Sequence, residues 1–125
     1  MAVTHSSTVR TDISDFITAK LDVGGAGTCE FQSAGSTEVA TLTFATTAFA
    51  AASGPSSTSN TITADSGANA GTITKAALKT NGGSTIIGCS VTSSGGGGDI
   101  ELSSVVISAG QVVNLDGGLT YTAPA

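Results

Sequence analysis

Few side chains in this sequence are of the types that do chemistry, and they stand far apart. His5 is the only histidine, with no partner at a spacing suited to general-base work. Zinc draws on clustered His and Cys; Cys29 and Cys89 are 60 positions apart and no Cys-x-x-Cys or His-x-x-x-His occurs. Asp99 and Glu101 fall on one face of a predicted strand, and Asp65 and Asp116 fall in predicted loops. Calcium uses converging loop carboxylates, but the spacing here is not that of an EF-hand, and Asp at turns serves backbone hydrogen bonding. A carboxylate pair for glycoside hydrolysis works in a cleft, normally aromatic-lined for sugars, and this chain has one Tyr and no Trp. The run Gly95–Gly98 offers backbone N–H groups, yet lacks the Lys-Ser/Thr ending of a phosphate loop and reads as a hairpin tip. No Gly-x-Ser-x-Gly elbow precedes a helix. The expectation is a protein with no catalytic, cofactor-binding or metal site, and not an enzyme.

The composition agrees with that expectation. The chain has 125 residues, the usual size of one domain. Charged residues are 10% of it and aromatics 4%, against about 25% charged in ordinary globular proteins. Ser, Thr, Asn and Gly supply the polar surface, and the core falls to Val, Ile, Leu and four Phe: Phe16, Phe31, Phe44 and Phe49. The net charge is −5, with only Arg10, Lys20, Lys75 and Lys79 basic. That argues against nucleic acid and against an anionic membrane as partners, since both require several cations on one face. Cys29 and Cys89 fall on separate predicted strands and could pair; the expectation favours small free thiols, because nothing else indicates an oxidising compartment. The start Met1-Ala2-Val3-Thr4-His5 lacks the basic and apolar blocks of a signal peptide, and no apolar stretch is long enough to span a bilayer, so synthesis in a cytoplasm is expected.

The elements that position these residues begin with a helix over 8–21. Val9, Ile13, Phe16, Ile17 and Leu21 are spaced to line one helical face, expected to pack on the rest of the chain, while Thr11, Ser14 and Thr18 face water or a partner. Ser6, Ser7 and Thr8 are candidate N-caps, Asp12, Asp15 and Lys20 suit the dipole, and Gly24-Gly25 ends the helix. Residues 1–7 form an arm ahead of it, and 8–125 a single β domain. Strands are expected at 29–32, 38–44 (continued by 48–50), 60–64, 72–79, 84–92, 99–102, 105–108, 111–115 and 119–122, with Ser53-Gly54-Pro55-Ser56-Ser57 a loop. Asn81-Gly82-Gly83 marks a hairpin between the strands at 72–79 and 84–92. The adjacent Ile86 and Ile87 require cover on both faces of their strand or a partner. The Thr alternations at 41–43, 61–63 and 72–74 have no fixed period and read as solvent-facing strands, not an ice-binding or lectin-like face. Short, regularly spaced strands after one helix predict a mostly β fold: an antiparallel β-sandwich or jelly-roll-like domain with one N-terminal α-helix.

The order of elements also resembles a known group. The helix Thr8–Ile17, then Cys29-Glu30-Phe31, Glu38–Phe44, Ala48–Ala51, Asn60–Ser66, Gly71-Thr72, the hairpin into Gly88, Asp99–Ser104 and the ending Leu119–Pro124 are similar to small structural proteins of tailed phages, often encoded close to the major capsid protein. The present chain differs from them in carrying Ala76 and Ala77 where an aromatic is expected. The resemblance implies a virion protein, a head decoration or cement protein on the capsid exterior. Its partner would be the major capsid protein, and it would act as a homo-oligomer, a dimer or trimer on symmetry axes. An edge strand, or the arm with Ala2, Val3, Thr4 and His5, would make the capsid or protomer contact by adding to a neighbouring sheet. The alternative is a tail- or fibre-associated module that binds glycan, with Tyr121 as its only Tyr platform.

Overall fold

A computed structural model describes residues 3–115 and 118–123; Met1, Ala2, Asp116, Gly117, Pro124 and Ala125 lie outside the described residues. The fold is mostly β with one N-terminal helix. Helix α1 spans Ser7–Ala19 and runs on into a 3₁₀ turn at Lys20–Asp22. Ser6 is its N-cap: extended backbone lets the hydroxyl accept the Val9 N–H at 3.2 Å, satisfying one of the helix's unpaired donors. Gly24 and Gly25, both with positive φ, turn the chain away as expected. The dipole expectation is not met. The α-helix closes at Ala19, so its first turn holds no acid and its last turn no base. Asp15 instead accepts the Ala52 N–H (2.7 Å) and Asp22 the Ala48 N–H (2.8 Å), tying helix to loop.

Strands follow at β1 (Thr28–Gln32), β2 (Glu38–Thr43), β3 (Ser56–Thr58), β4 (Gly71–Thr72), β5 (Lys75–Lys79), β6 (Thr85–Ser93), β7 (Ile100–Leu102), β8 (Val106–Ile107) and β9 (Thr120–Thr122). Five of them form one sheet in the order β2-β1-β5-β6-β7, antiparallel except that β7 runs parallel to β6. β3 pairs with β9 and β4 with β8, each an antiparallel two-stranded ribbon. The β5–β6 hairpin turns at Asn81–Gly83, where Gly83 takes φ 93° and donates to the Thr80 carbonyl (2.9 Å). A register shift opposite Leu78 and Lys79 leaves one extra residue on β6, so that the consecutive Ile86 and Ile87 both pack on the core.

Alternation sorts the sheet into two faces. In register, Cys29 stands between Leu42 and Leu78, and Phe31 between Ala40 and Ala76; all six are buried. Leu21, Phe44, Phe49, Ile73, Ile107 and Val113 close over them in the same apolar cluster. Phe44 and Phe49 meet with ring centroids 5.9 Å apart. The opposite face carries Glu30, Gln32, Thr41, Lys75 and Lys79, with the small Ala77 buried among them.

Several expected strands resolve differently. Residues 60–64 and 111–115 contribute single bridges, Thr43 to Thr63 and Asp65 to Val113, in place of ladders. The stretch 72–79 divides into β4 and β5 at Ile73-Thr74, and the expected loop at 53–57 contains the start of β3. The helix is also rotated from its expected setting. Its buried residues are Ser14 and Thr18, while Phe16 is 61% and Val9 42% exposed. At about 100° per residue, Phe16 stands about 160° round the helix from both. The reason is polar pairing at close range. The Ser14 and Ser57 hydroxyls bond at 2.7 Å with both side chains fully buried. Thr11 donates to the Gly54 carbonyl (2.6 Å), and Arg10 Nη2 to the Ala123 carbonyl (2.9 Å). Small side chains let the helix approach the β3–β9 ribbon, and Ile13 and Ile17 flank that seam half-buried.

Candidate functional site

The groups singled out from sequence fall into three places. The first is the arm. Val3, Thr4 and His5 are exposed and lie outside regular structure ahead of the Ser6 cap, with Val3 74% exposed; Ala2 lies outside the described residues.

The second is the tip between β6 and β7. Glu101 reaches back across it, and its two carboxylate oxygens accept the Gly95 N–H (3.2 Å) and the Gly97 N–H (3.1 Å). The backbone cradle that a Gly run offers to an anion is thus filled by the chain's own carboxylate. Asp99, just ahead of β7, is similarly committed. Its carboxylate accepts the Ser90 N–H and the Ser90 hydroxyl accepts the Asp99 N–H, both at 2.9 Å. The signal for the first of these was legible: an acid three positions past the Gly run, Glu101, is well placed to cap it.

The third is a groove of about 500 Å³ between β6 and the segment 118–122. Leu78, Phe49 and Ile100 supply apolar walls, and Tyr121, Cys89 and Asp99 bring the polar groups. Burial and then the Asp99 charge push the Cys89 thiol up, which keeps it protonated near neutrality and opposes its use as a nucleophile. Cys29 lies deeper, pushed up to about 12 by burial and then by Cys89. Both thiols are free. β5 lies between their strands, and two interstrand spacings, about 9.5 Å, exceed the reach of a disulfide. The groove therefore offers an apolar floor, one phenol and two carboxylates, Asp99 and Glu101, already engaged with backbone.

Elsewhere the ionisable groups are paired on the open sheet face. Lys79 Nζ lies 3.1 Å from Glu30, and Gln32 also donates to Glu30. Burial alone would raise the Glu30 carboxyl; the bonds from Gln32 and Lys79 and the Lys79 charge outweigh it and hold the group below its usual value. Glu38 accepts from Thr41 and Asn69, and Lys75 donates to Ser36. Among the described residues, no three His, Cys, Asp or Glu side chains converge as a metal site would require, and no helix is long and apolar enough to cross a membrane.

Strand β2 lies at one edge of the five-stranded sheet. Its outer backbone is already taken: Thr41 N–H by the Asp65 carboxylate (2.8 Å), Thr43 by reciprocal bonds with Thr63, and the Val39 carbonyl by Asn69 N–H (2.7 Å). A covered edge cannot accept another strand. No protein-family model, curated protein or solved structure matches this chain.

Proposed function

We propose that this chain is a non-enzymatic structural protein of a phage virion, a decoration or cement protein that binds the outer capsid surface and stabilises capsomer junctions. It would be made in the host cytoplasm, need no cofactor, and take the major capsid protein as its partner. The observation that supports this reading most directly is the exposed arm, with Val3 at 74% exposure ahead of a capped helix. An exposed segment outside regular structure can add to a neighbouring sheet, which the closed edge of β2 cannot. One copy that contacts two capsid subunits gains avidity and resists their separation. The sheet face of mutually paired Glu30, Lys79 and Gln32 suits contact by shape and hydrogen bonding more than by net charge. Within this reading, the five-stranded sheet and its two facing ribbons are a jelly-roll-like sandwich.

Titration of the protein onto undecorated phage heads tests the proposal. Saturable binding that persists through a moderate rise in salt is expected, because few charges are available to be screened. Absence of binding, or loss of occupancy on that salt step, refutes it. Deletion of residues 1–5 should abolish binding while leaving the fold intact.

One observation favours a second reading, a tail-associated glycan-binding module: Tyr121, the chain's single Tyr, lines the groove beside Asp99 and Thr120. A sugar stacked on that ring should shift Tyr121 ring resonances on titration, and a glycan array without a binder removes this reading.

A further inference from the structure

We propose that the outward stripe of α1 is a dimerisation surface for a second copy of this chain, the two helices lying antiparallel about a two-fold axis at Phe16. Because the helix seats its small polar side on the β body, Val9 and Phe16 are left outside. Val9 (42%), Phe16 (61%) and Val23 (60%) are all exposed. Of the large hydrophobics exposed among the described residues, these three and Val3 belong to the helix or its flanks, and only Val106 and Val112 do not. Such clustering marks a contact surface, whereas scattered exposed residues do not.

Charge order identifies the occupant. Asp12 precedes Phe16 by four residues and Lys20 follows it by four, so the three share one stripe. Both charged residues are exposed, and Lys20 Nζ lies 4.5 Å from the Phe16 ring centroid, within the same patch. An antiparallel copy centred on Phe16 sets Phe16 against Phe16 and Asp12 against Lys20, the latter twice by symmetry. Val9 of each copy then lies toward Val23 of the other. A parallel copy would set Asp12 against Asp12 and Lys20 against Lys20. The stripe is thus self-complementary in one orientation only, as an isologous interface demands.

The contact is one helix long, below the roughly 1,600 Å² of a standard interface, and implies a weak dimer with Kd on the order of 10 µM. It would place the two arms at opposite ends of the helix pair, about 27 Å apart along the axis, since each helix starts nine residues before Phe16 and rises 1.5 Å per residue.

Sedimentation equilibrium of the full chain over a concentration series tests this. A monomer–dimer equilibrium is expected, with Phe16→Ser raising Kd at least tenfold, on the order of a lost interface anchor. Asp12→Lys alone and Lys20→Asp alone should each raise Kd about tenfold, since each replaces two attractive pairs with two repulsive ones. Combined in one chain, they should restore dimerisation to near the parent value. A chain monomeric throughout, an oligomer indifferent to Phe16→Ser, or a double variant that stays dissociated overturns the proposal. All three side chains are exposed, so circular dichroism should show every variant folded. The assay contains no capsid, and its failure is distinguishable from failure of the decoration reading.

Discussion

The rotational setting of α1 can be tested through the hydroxyl pair beneath it. Ser14 and Ser57 bond at 2.7 Å, and neither side chain retains any exposure. Ser14→Ala leaves the Ser57 hydroxyl buried without that partner, at a cost of about 1–3 kcal/mol. Ser57→Ala should cost less, about 1 kcal/mol, because a helical serine can turn its hydroxyl to the carbonyl four residues earlier, here that of Arg10. With both replaced no orphan remains, and the double variant should lie within about 1 kcal/mol of the parent, giving a coupling energy of at least about 1 kcal/mol. Phe16→Ala, on the exposed side, should change stability by no more than about 0.5 kcal/mol. Urea unfolding of the four variants measures all of these at low protein concentration, and each kcal/mol corresponds to about 4 °C in Tm for a chain of this length. The opposite pattern would show the helix buried on its Phe16 side: a neutral Ser14→Ala together with a loss of about 3 kcal/mol or more for Phe16→Ala, the cost of emptying a core position.

Three further outcomes follow from particular contacts. Gly27 is buried where a Cβ would overlap the Lys79 carbonyl oxygen and stand 2.7 Å from that of Leu21, so Gly27→Ala should destabilise by about 3 kcal/mol or more in urea unfolding. In the folded protein Cys29 should resist alkylation at pH 8 and Cys89 should react slowly, with both labelled once denatured; an intramolecular disulfide found by mass spectrometry after mild oxidation would contradict the strand order. The Glu30 carboxyl is held below its usual value, so its contribution to stability is present above the unfolded value of about 4.3 and is lost as pH falls through the lower folded one. Glu30→Gln should therefore be less stable than the parent near neutral pH, with the difference narrowing below about pH 4 and shrinking in high salt.

Local chemistry carried much of the fold. The Ser6 cap, the Gly24-Gly25 stop and the Asn81–Gly83 turn each act within a few residues, so α1 and the β5–β6 hairpin were legible from the chain alone. So was the inner face of β1, where Cys29 and Phe31 alternate with Glu30. The stripe Thr11, Ser14 and Thr18 was legible too, as spacing, but its burial was not. Two competing stripes on one helix can be ranked only by what they meet. The small Ser57 and the carbonyls of Gly54 and Ala123 come from distant parts of the sequence.

The same division holds for the candidate site. Scarcity of chemically capable side chains, low charge, one helix and a run of strands are properties of residue types and short-range periodicity, and can be read along the chain without its folded partners. Only the tertiary structure decided which helix face is buried, that the outer edge of β2 is covered by 63–69, and that Tyr121 and Cys89 border one groove. Those outcomes depend on pairings between segments tens of residues apart. There, satisfaction of buried polar groups outweighs the burial of a few more apolar side chains, and no local pattern records which partner will arrive.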